Sequence, residues 1–286
     1  MDFLWSITRD QIFNECKRKY YYQYIAAYNE NSGQISDLWK LKKLENRFLI
    51  RSKILKYSIY QILKNLMFQE EKGLEYYLRD AVKNFKVAVN KERMDNFENY
   101  YGIGEKTDYT EIFYEMHTLL ENFYKSDSYM MLKNKKLLNC IFPCETHNVD
   151  YVTVAGKQIE GQADLIYISS DETMIFNWAV RKPSKKFETN ISKNDEIRAV
   201  ISYLFCEKNY FISCLDDVKY YLVNLYQTFS SEIKITQKVI DDIRNYIRIS
   251  ISKMQMAESN DIETFSKIKN KKICNFCNYK KICFDK

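Results

Sequence analysis

Apolar positions recur at helical spacing through the first half of the chain. Ile12, Phe13, Cys16, Tyr20 and Tyr24 form one stripe, and with Thr8 as N-cap they predict a helix over residues 8–27. Leu41, Leu44, Phe48, Leu55, Ile59, Ile62 and Leu66 keep a second stripe, which predicts one long helix or a broken pair over 36–69. A further helix is expected over 75–90. Asp108, with Glu111 three residues on, reads as a capping box that opens a helix running to about residue 133.

The period changes near residue 138. Val149 to Val154 is a β-branched and aromatic run that ends at the turn signal Ala155-Gly156. Gln158 to Ile168 and Met174 to Val180 follow, separated by Ser169-Ser170-Asp171, so a three-stranded meander is expected. A helix over 192–209 then leads to a fourth strand, Val218 to Tyr226, by a parallel crossover. Thr236 caps a last helix carrying Val239, Ile243, Ile247 and Met254. The order predicts an α/β (α+β) fold with a mixed sheet of about four strands. Its parts are a helical region over 1–137, an α/β core over 138–230 and a closing segment over 231–286.

Composition narrows this. Only 6 Gly and 2 Pro occur among 286 residues, too few for the tight turns of an all-β protein. Hydrophobic residues at 46% and charged residues at 29% exclude a disordered chain. No apolar run approaches the about 20 residues of a bilayer crossing, and Met1 to Trp5 carry no basic-then-apolar leader. A cytoplasmic protein without a membrane partner is therefore expected, with its thiols reduced. The net charge of +6 permits a polyanionic partner without requiring one.

In a reducing compartment, clustered cysteines point to metal before disulfide. Cys274, Cys277 and Cys283 put three thiols on one short segment, and a tetrahedral ion or cluster needs a fourth. Candidates are Cys16, Cys140, Cys144, Cys206 and Cys214. Cys16 is the best, because Lys17, Arg18 and Lys19 follow it and would favour a thiolate. The other four read as buried structural cysteines, and His117 and His147 have no ligand-spaced partner. Zinc and an iron–sulfur cluster both fit four thiolates.

Trp5-Ser6-Ile7-Thr8-Arg9, the stretch Phe13 to Cys16 and the basic-tyrosine run to Tyr22, with the terminal Cys-x2-Cys-x5-Cys, resemble iron–sulfur nucleases of the PD-(D/E)XK superfamily. These include the RecB/AddB-type nuclease domains and the CRISPR-associated RecB-like exonucleases. The resemblance covers nearly the whole chain. It implies a restriction-endonuclease-like core and a 4Fe–4S cluster held by Cys16, Cys274, Cys277 and Cys283.

The resemblance also assigns a catalytic signature, from which this chain departs. Gly161-Gln162-Ala163-Asp164 matches the first element, so Asp164 is retained. Asn177 stands where the second carboxylate belongs, and Ala179 where the lysine belongs. Lys56 replaces a metal-binding histidine, while Tyr203 survives from a Gln-x-x-x-Tyr whose glutamine has become Ala199. Magnesium needs carboxylates, and its hydrolytic chemistry needs a lysine to orient the attacking water. Neither Mg²⁺ nor Mn²⁺ is expected at this pocket. Lys56 is expected to pair with Asp164 in the ion's electrostatic role. Strand alternation would bring Arg181 to the face of residues 177 and 179, with Lys182 on the other face.

A nucleic-acid surface is expected at Arg181, Lys182, Lys185 and Lys186, with further lysines near the cysteines. The reading is a catalytically degenerate nuclease-like protein that binds DNA, single-stranded DNA among the candidates, or serves as a subunit of a nucleic-acid-processing or defence complex. Two alternatives remain open. One is an active DNA exonuclease with Glu160 or Glu145 and Lys182 as displaced catalytic groups. The other is a protein-interaction scaffold that binds no DNA.

Overall fold

The computed structural model describes residues 3–28, 35–90, 92–104, 107–143, 151–161, 163–182, 191–210, 212, 214–257, 261–268 and 271–284. In chain order the helical part holds α1 (Ile7–Glu15), α2 (Lys17–Tyr24), α3 (Ile35–Lys43), α4 (Arg47–Met67), α5 (Leu74–Ala88), α6 (Phe97–Tyr100), α7 (Thr110–Tyr124) and α8 (Asp127–Lys133). Strands β1 (Cys140–Ile141), β2 (Tyr151–Val154), β3 (Lys157–Glu160), β4 (Leu165–Ile168) and β5 (Thr173–Ala179) follow. Next come α9 (Lys193–Tyr210), β6 (Val218–Asn224), β7 (Ser231–Ile233), α10 (Gln237–Met256), α11 (Lys271–Asn275) and α12 (Lys280–Phe284). No helix among the described residues is long and apolar enough to cross a membrane.

Two compact units divide the chain. One gathers Met1–Ile50, Ala88–Thr107 and Tyr246–Lys286; the other gathers Arg51–Val87 and Asp108–Asn245.

The second unit contains a five-stranded mixed sheet of order β1-β4-β5-β6-β7. β5 and β6 run parallel, joined through α9, and every other neighbouring pair is antiparallel. All seven residues of β5 are buried, as befits a central strand covered on both faces. The expected meander is not formed. The run over 158–168 breaks at Gly161–Asp164, so β3 pairs only with β2 as a separate hairpin while β4 joins the sheet. A Cβ on Gly161 would lie 2.4 Å from the Phe205 ring, so any side chain here would force that ring to move. The β2–β3 turn takes positive φ at both Ala155 (51°) and Gly156 (73°), the primed turn that suits a two-residue hairpin.

Several expected helices are shorter than their apolar stripes. The 8–27 stretch breaks at Cys16, whose extended backbone (φ −152°, ψ 106°) ends α1 and caps α2. The 36–69 stretch is a broken pair, interrupted where Glu45 bridges to Asn96. The 108–133 stretch breaks at Ser126, whose hydroxyl accepts the Tyr129 N–H and starts α8. The expected Asp108 capping box does not open α7: its N-cap is Tyr109, without a side-chain cap bond, and Asp108 accepts the Thr110 N–H one residue further out. Thr236 caps α10 as expected, accepting the Val239 N–H.

The first unit has its own core, built from Tyr22, Ala26, Ala27, Leu38, Leu41, Leu44, Phe97 and Tyr279. Cys277 and Cys283 pack at its margin. Asp10 is buried beneath it, accepting hydrogen bonds from Ser250 and, at 2.7 Å, from Tyr246, while Trp5 Nε1 donates to Ser250. These contacts explain the Trp-Ser-x-x-Arg stretch structurally. Trp5 is fully buried, Ser6 caps α1 in place of the expected Thr8, which lies inside the helix, and Arg9 lies over the Phe3, Tyr20 and Tyr24 rings and bonds the Tyr20 hydroxyl.

Candidate functional site

Asp164 sits at the entrance to β4, and the register that pairs Leu165 with Phe176 brings it alongside Asn177. Its backbone N–H donates to the Phe176 carbonyl, and its Oδ2 accepts the Trp178 N–H at 2.8 Å. Lys56, on α4, donates to both carboxylate oxygens, at 3.0 Å and 2.8 Å. The expected pair is therefore present, and a cation already straddles the carboxylate.

The remaining signature positions are equally unsuited to a metal. Asn177 is buried and donates to the Ser202 hydroxyl at 3.3 Å. Ala179 is buried with no polar side-chain atom. Tyr203 donates to Glu207 on its own helix at 3.0 Å, and burial, aided by that carboxylate, pushes its phenol up to about 12. Tyr220 lies beside Asn177, and burial opposes its ionisation.

Lys56 matters energetically. A unit charge at 4 Å from another is worth about 4 kcal/mol at an effective dielectric of 20, so a divalent ion facing the ammonium meets about twice that in repulsion. The Asp164 carboxylate carries one unit of the opposite charge, so together with Lys56 it presents no net charge to attract an ion. Any ion must first displace Lys56.

Arg181 and Lys182 lie elsewhere than strand alternation implies. β5 ends at Ala179, so the alternation does not extend to residue 181. Arg181 turns to the start of α9, where its Nη2 donates to Asp195 at 2.6 Å. Asp195 also accepts the Ser192 N–H at 2.8 Å, and its own N–H donates to the Ser192 hydroxyl, a reciprocal cap on α9. Lys182 pairs with Glu115 Oε1 at 3.0 Å. Tyr226 donates to the same oxygen at 2.6 Å, and Arg51 holds the other one. Burial opposes the Glu115 charge, but the Tyr226 and Lys182 hydrogen bonds and the Arg51 guanidinium hold its carboxyl below the usual range.

Asp195 and Glu115 were not foreseen as partners for these cations, since nothing in their spacing ties them to residues 181 and 182. Of the displaced carboxylates considered, Glu160 is exposed at the end of β3. Glu145, Lys185, Lys186, His147 and Cys144 lie outside the described residues.

The cysteine site is built entirely within the first unit. Cys16, Cys274, Cys277 and Cys283 line one cavity of about 350 Å³, solvent mouth included, and all four are free thiols. The break between α1 and α2 places Cys16 at a helix start, where its Sγ accepts the Lys19 N–H at 3.5 Å. Cys274 lies on α11, Cys277 in the following turn and Cys283 on α12. Lys19, Lys267 and Lys280 share the lining. Burial raises the Cys277 and Cys283 thiols, with Lys19 and Lys267 respectively pulling the other way. Arg18 is not free to join them, because its Nε donates to the Phe265 carbonyl at 2.7 Å. Lys17 lies over the Phe13 ring.

Among the described residues, no three His, Cys, Asp or Glu side chains are grouped to hold a metal ion as they stand, at Asp164 or at the cysteines. The donor set at the cysteines nonetheless fits a thiolate-bound group: four thiols, no disulfide and a cationic rim. Of the other cysteines, Cys140 and Cys206 are buried, and burial pushes both thiols up to about 12. Cys214, expected inside, is exposed, because it lies in the loop between α9 and β6.

No family model matches this chain, and no curated protein does.

Proposed function

We propose that this chain is a nuclease-like protein of PD-(D/E)XK type that binds nucleic acid without cutting it, as a subunit of a DNA-processing or defence complex. One observation carries the reading: the Lys56 ammonium spans both oxygens of Asp164. Asn177 and Ala179 support it, since neither supplies the charge that a divalent ion or an attacking water requires. Cys16, Cys274, Cys277 and Cys283 would hold a 4Fe–4S cluster, which supplies a cross-link between distant parts of the chain. Loading would draw the thiols inward, and the Lys19, Lys267 and Lys280 charges would offset its negative charge.

The test is digestion of end-labelled single- and double-stranded oligonucleotides with Mg²⁺ or Mn²⁺. No product is expected, and calorimetry should detect no Mn²⁺ binding at Asp164. Digestion that Asp164→Ala abolishes would overturn the proposal. Iron and sulfide analysis of anaerobically purified protein should find a cluster, and zinc in its place would correct the cofactor.

A further inference from the structure

Next to the cysteine cavity lies a second, more open cleft of about 860 Å³, open solvent included, lined by Tyr101, Cys274, Asn275, Lys280, Lys281 and Phe284. Cys274, Lys280 and Phe284 line both. The cleft has two lysines and no acidic residue among its described lining residues, so its charge complements an anion. Lys281 is exposed at the start of α12. Lys280 lies over the Tyr101 ring, 4.0 Å from its centroid, and over Phe97 at 4.8 Å, so the aromatic floor fixes its ammonium. The Tyr101 hydroxyl donates to the Asn278 carbonyl at 2.7 Å and braces that floor. Phe284 is different. It is 62% exposed, a large apolar ring left open beside two cations.

We infer that this cleft binds a segment of single-stranded nucleic acid, with phosphates at Lys280 and Lys281 and an unstacked base on Phe284. The inference rests on the nucleic-acid reading above and gives that partner a site made by the closing cysteine segment rather than by the Asp164 pocket. A duplex keeps its base faces stacked and would leave Phe284 without a partner. A peptide of acidic residues alone would satisfy the lysines but has no aromatic face to lay on the ring.

The experiment is fluorescence anisotropy of the full, anaerobically purified chain with labelled oligo-thymidine of about ten nucleotides, across a salt series. Phe284→Ala should weaken binding about tenfold at every salt concentration and leave the salt slope unchanged. Lys281→Ala should weaken binding at low salt and reduce the slope by about 0.7, the share of one single-strand phosphate contact. Lys83→Ala, an exposed site on α5, should bind as wild type. Thermal melts of each variant should match wild type, since both altered side chains are exposed. Wild-type binding that neither cleft variant weakens would sink this site alone. Preference for duplex, or equal competition by polyglutamate, would also sink it. No binding by wild type to any nucleic acid would remove the broader reading as well.

Discussion

Lys56 holds both carboxylate oxygens of Asp164, at 3.0 Å and 2.8 Å, so a side-chain cation already spans the carboxylate. The two residues lie 108 positions apart, and the contact brings α4 against the entrance to β4. An internal cation of this kind neutralises the pocket without any chemistry of its own, because a charged ammonium is no base.

Replacing that cation is the first prediction. Lys56→Ala should cost about 1 kcal/mol or less in urea melts, because the pair is partly exposed and Asp164 keeps the Trp178 N–H. Combining Lys56→His with Asn177→Asp and Ala179→Lys introduces the residue types that the proposed reading says an active site of this kind would need. That triple variant should bind Mn²⁺ in calorimetry where wild type does not.

Glu115 should behave as a structural carboxylate. Glu115→Gln leaves the buried Arg51 without its anion and should cost about 3 kcal/mol in stability. The pH dependence follows from its lowered pKa. The unfolded chain protonates this group near about pH 4.3, before the folded chain does. Its contribution is therefore whole above that pH and is lost as pH falls through the lower folded value. Urea midpoints measured from pH 7 down to pH 3 should fall less steeply in the Gln variant.

At the start of α9, Asp195→Asn keeps a capping oxygen but loses the charge that Arg181 meets. Asp195→Ala loses both. Denaturant melts should show the Ala variant about 2 kcal/mol less stable and the Asn variant intermediate.

Gly161→Ala forces a Cβ to within 2.4 Å of the buried Phe205 ring. The expected cost is about 1–3 kcal/mol, read as a lowered Tm, and Phe205→Leu in the same chain should recover part of it.

Cys16→Ala should abolish bound iron as fully as Cys277→Ala does, although the two lie at opposite ends of the sequence. Cys214→Ala, at an exposed loop thiol, should leave iron content unchanged. Iron analysis with visible absorbance on anaerobic samples checks both.

What the sequence determined by itself was local in period or carried by residue type. The stripes of α4, α5 and α10 are legible because one helix face must be apolar wherever it packs. β5 and β6 are legible as largely apolar runs, interrupted by Asn177 and Lys219, since a parallel pair is covered on both sides. The Lys56–Asp164 pair was legible only through the register that the family resemblance implied, and the two side chains do meet.

Tertiary structure decided the breaks and the partners. The α1–α2 stripe continues through Cys16 without a sequence interruption, yet the chain extends there and presents the thiol at a helix start. The apolar run over 158–168 divides because Phe205, about forty residues on, occupies the space a Cβ at Gly161 would need. Arg181 and Lys182 read as a basic surface, but they pair with Asp195 and Glu115. Their carboxylates come from other elements, α9 and α7, and no periodicity within a segment encodes which charge from another segment will meet it. Side-chain period is a property of one element in its groove, whereas a cap, a crossing or an ion pair belongs to two.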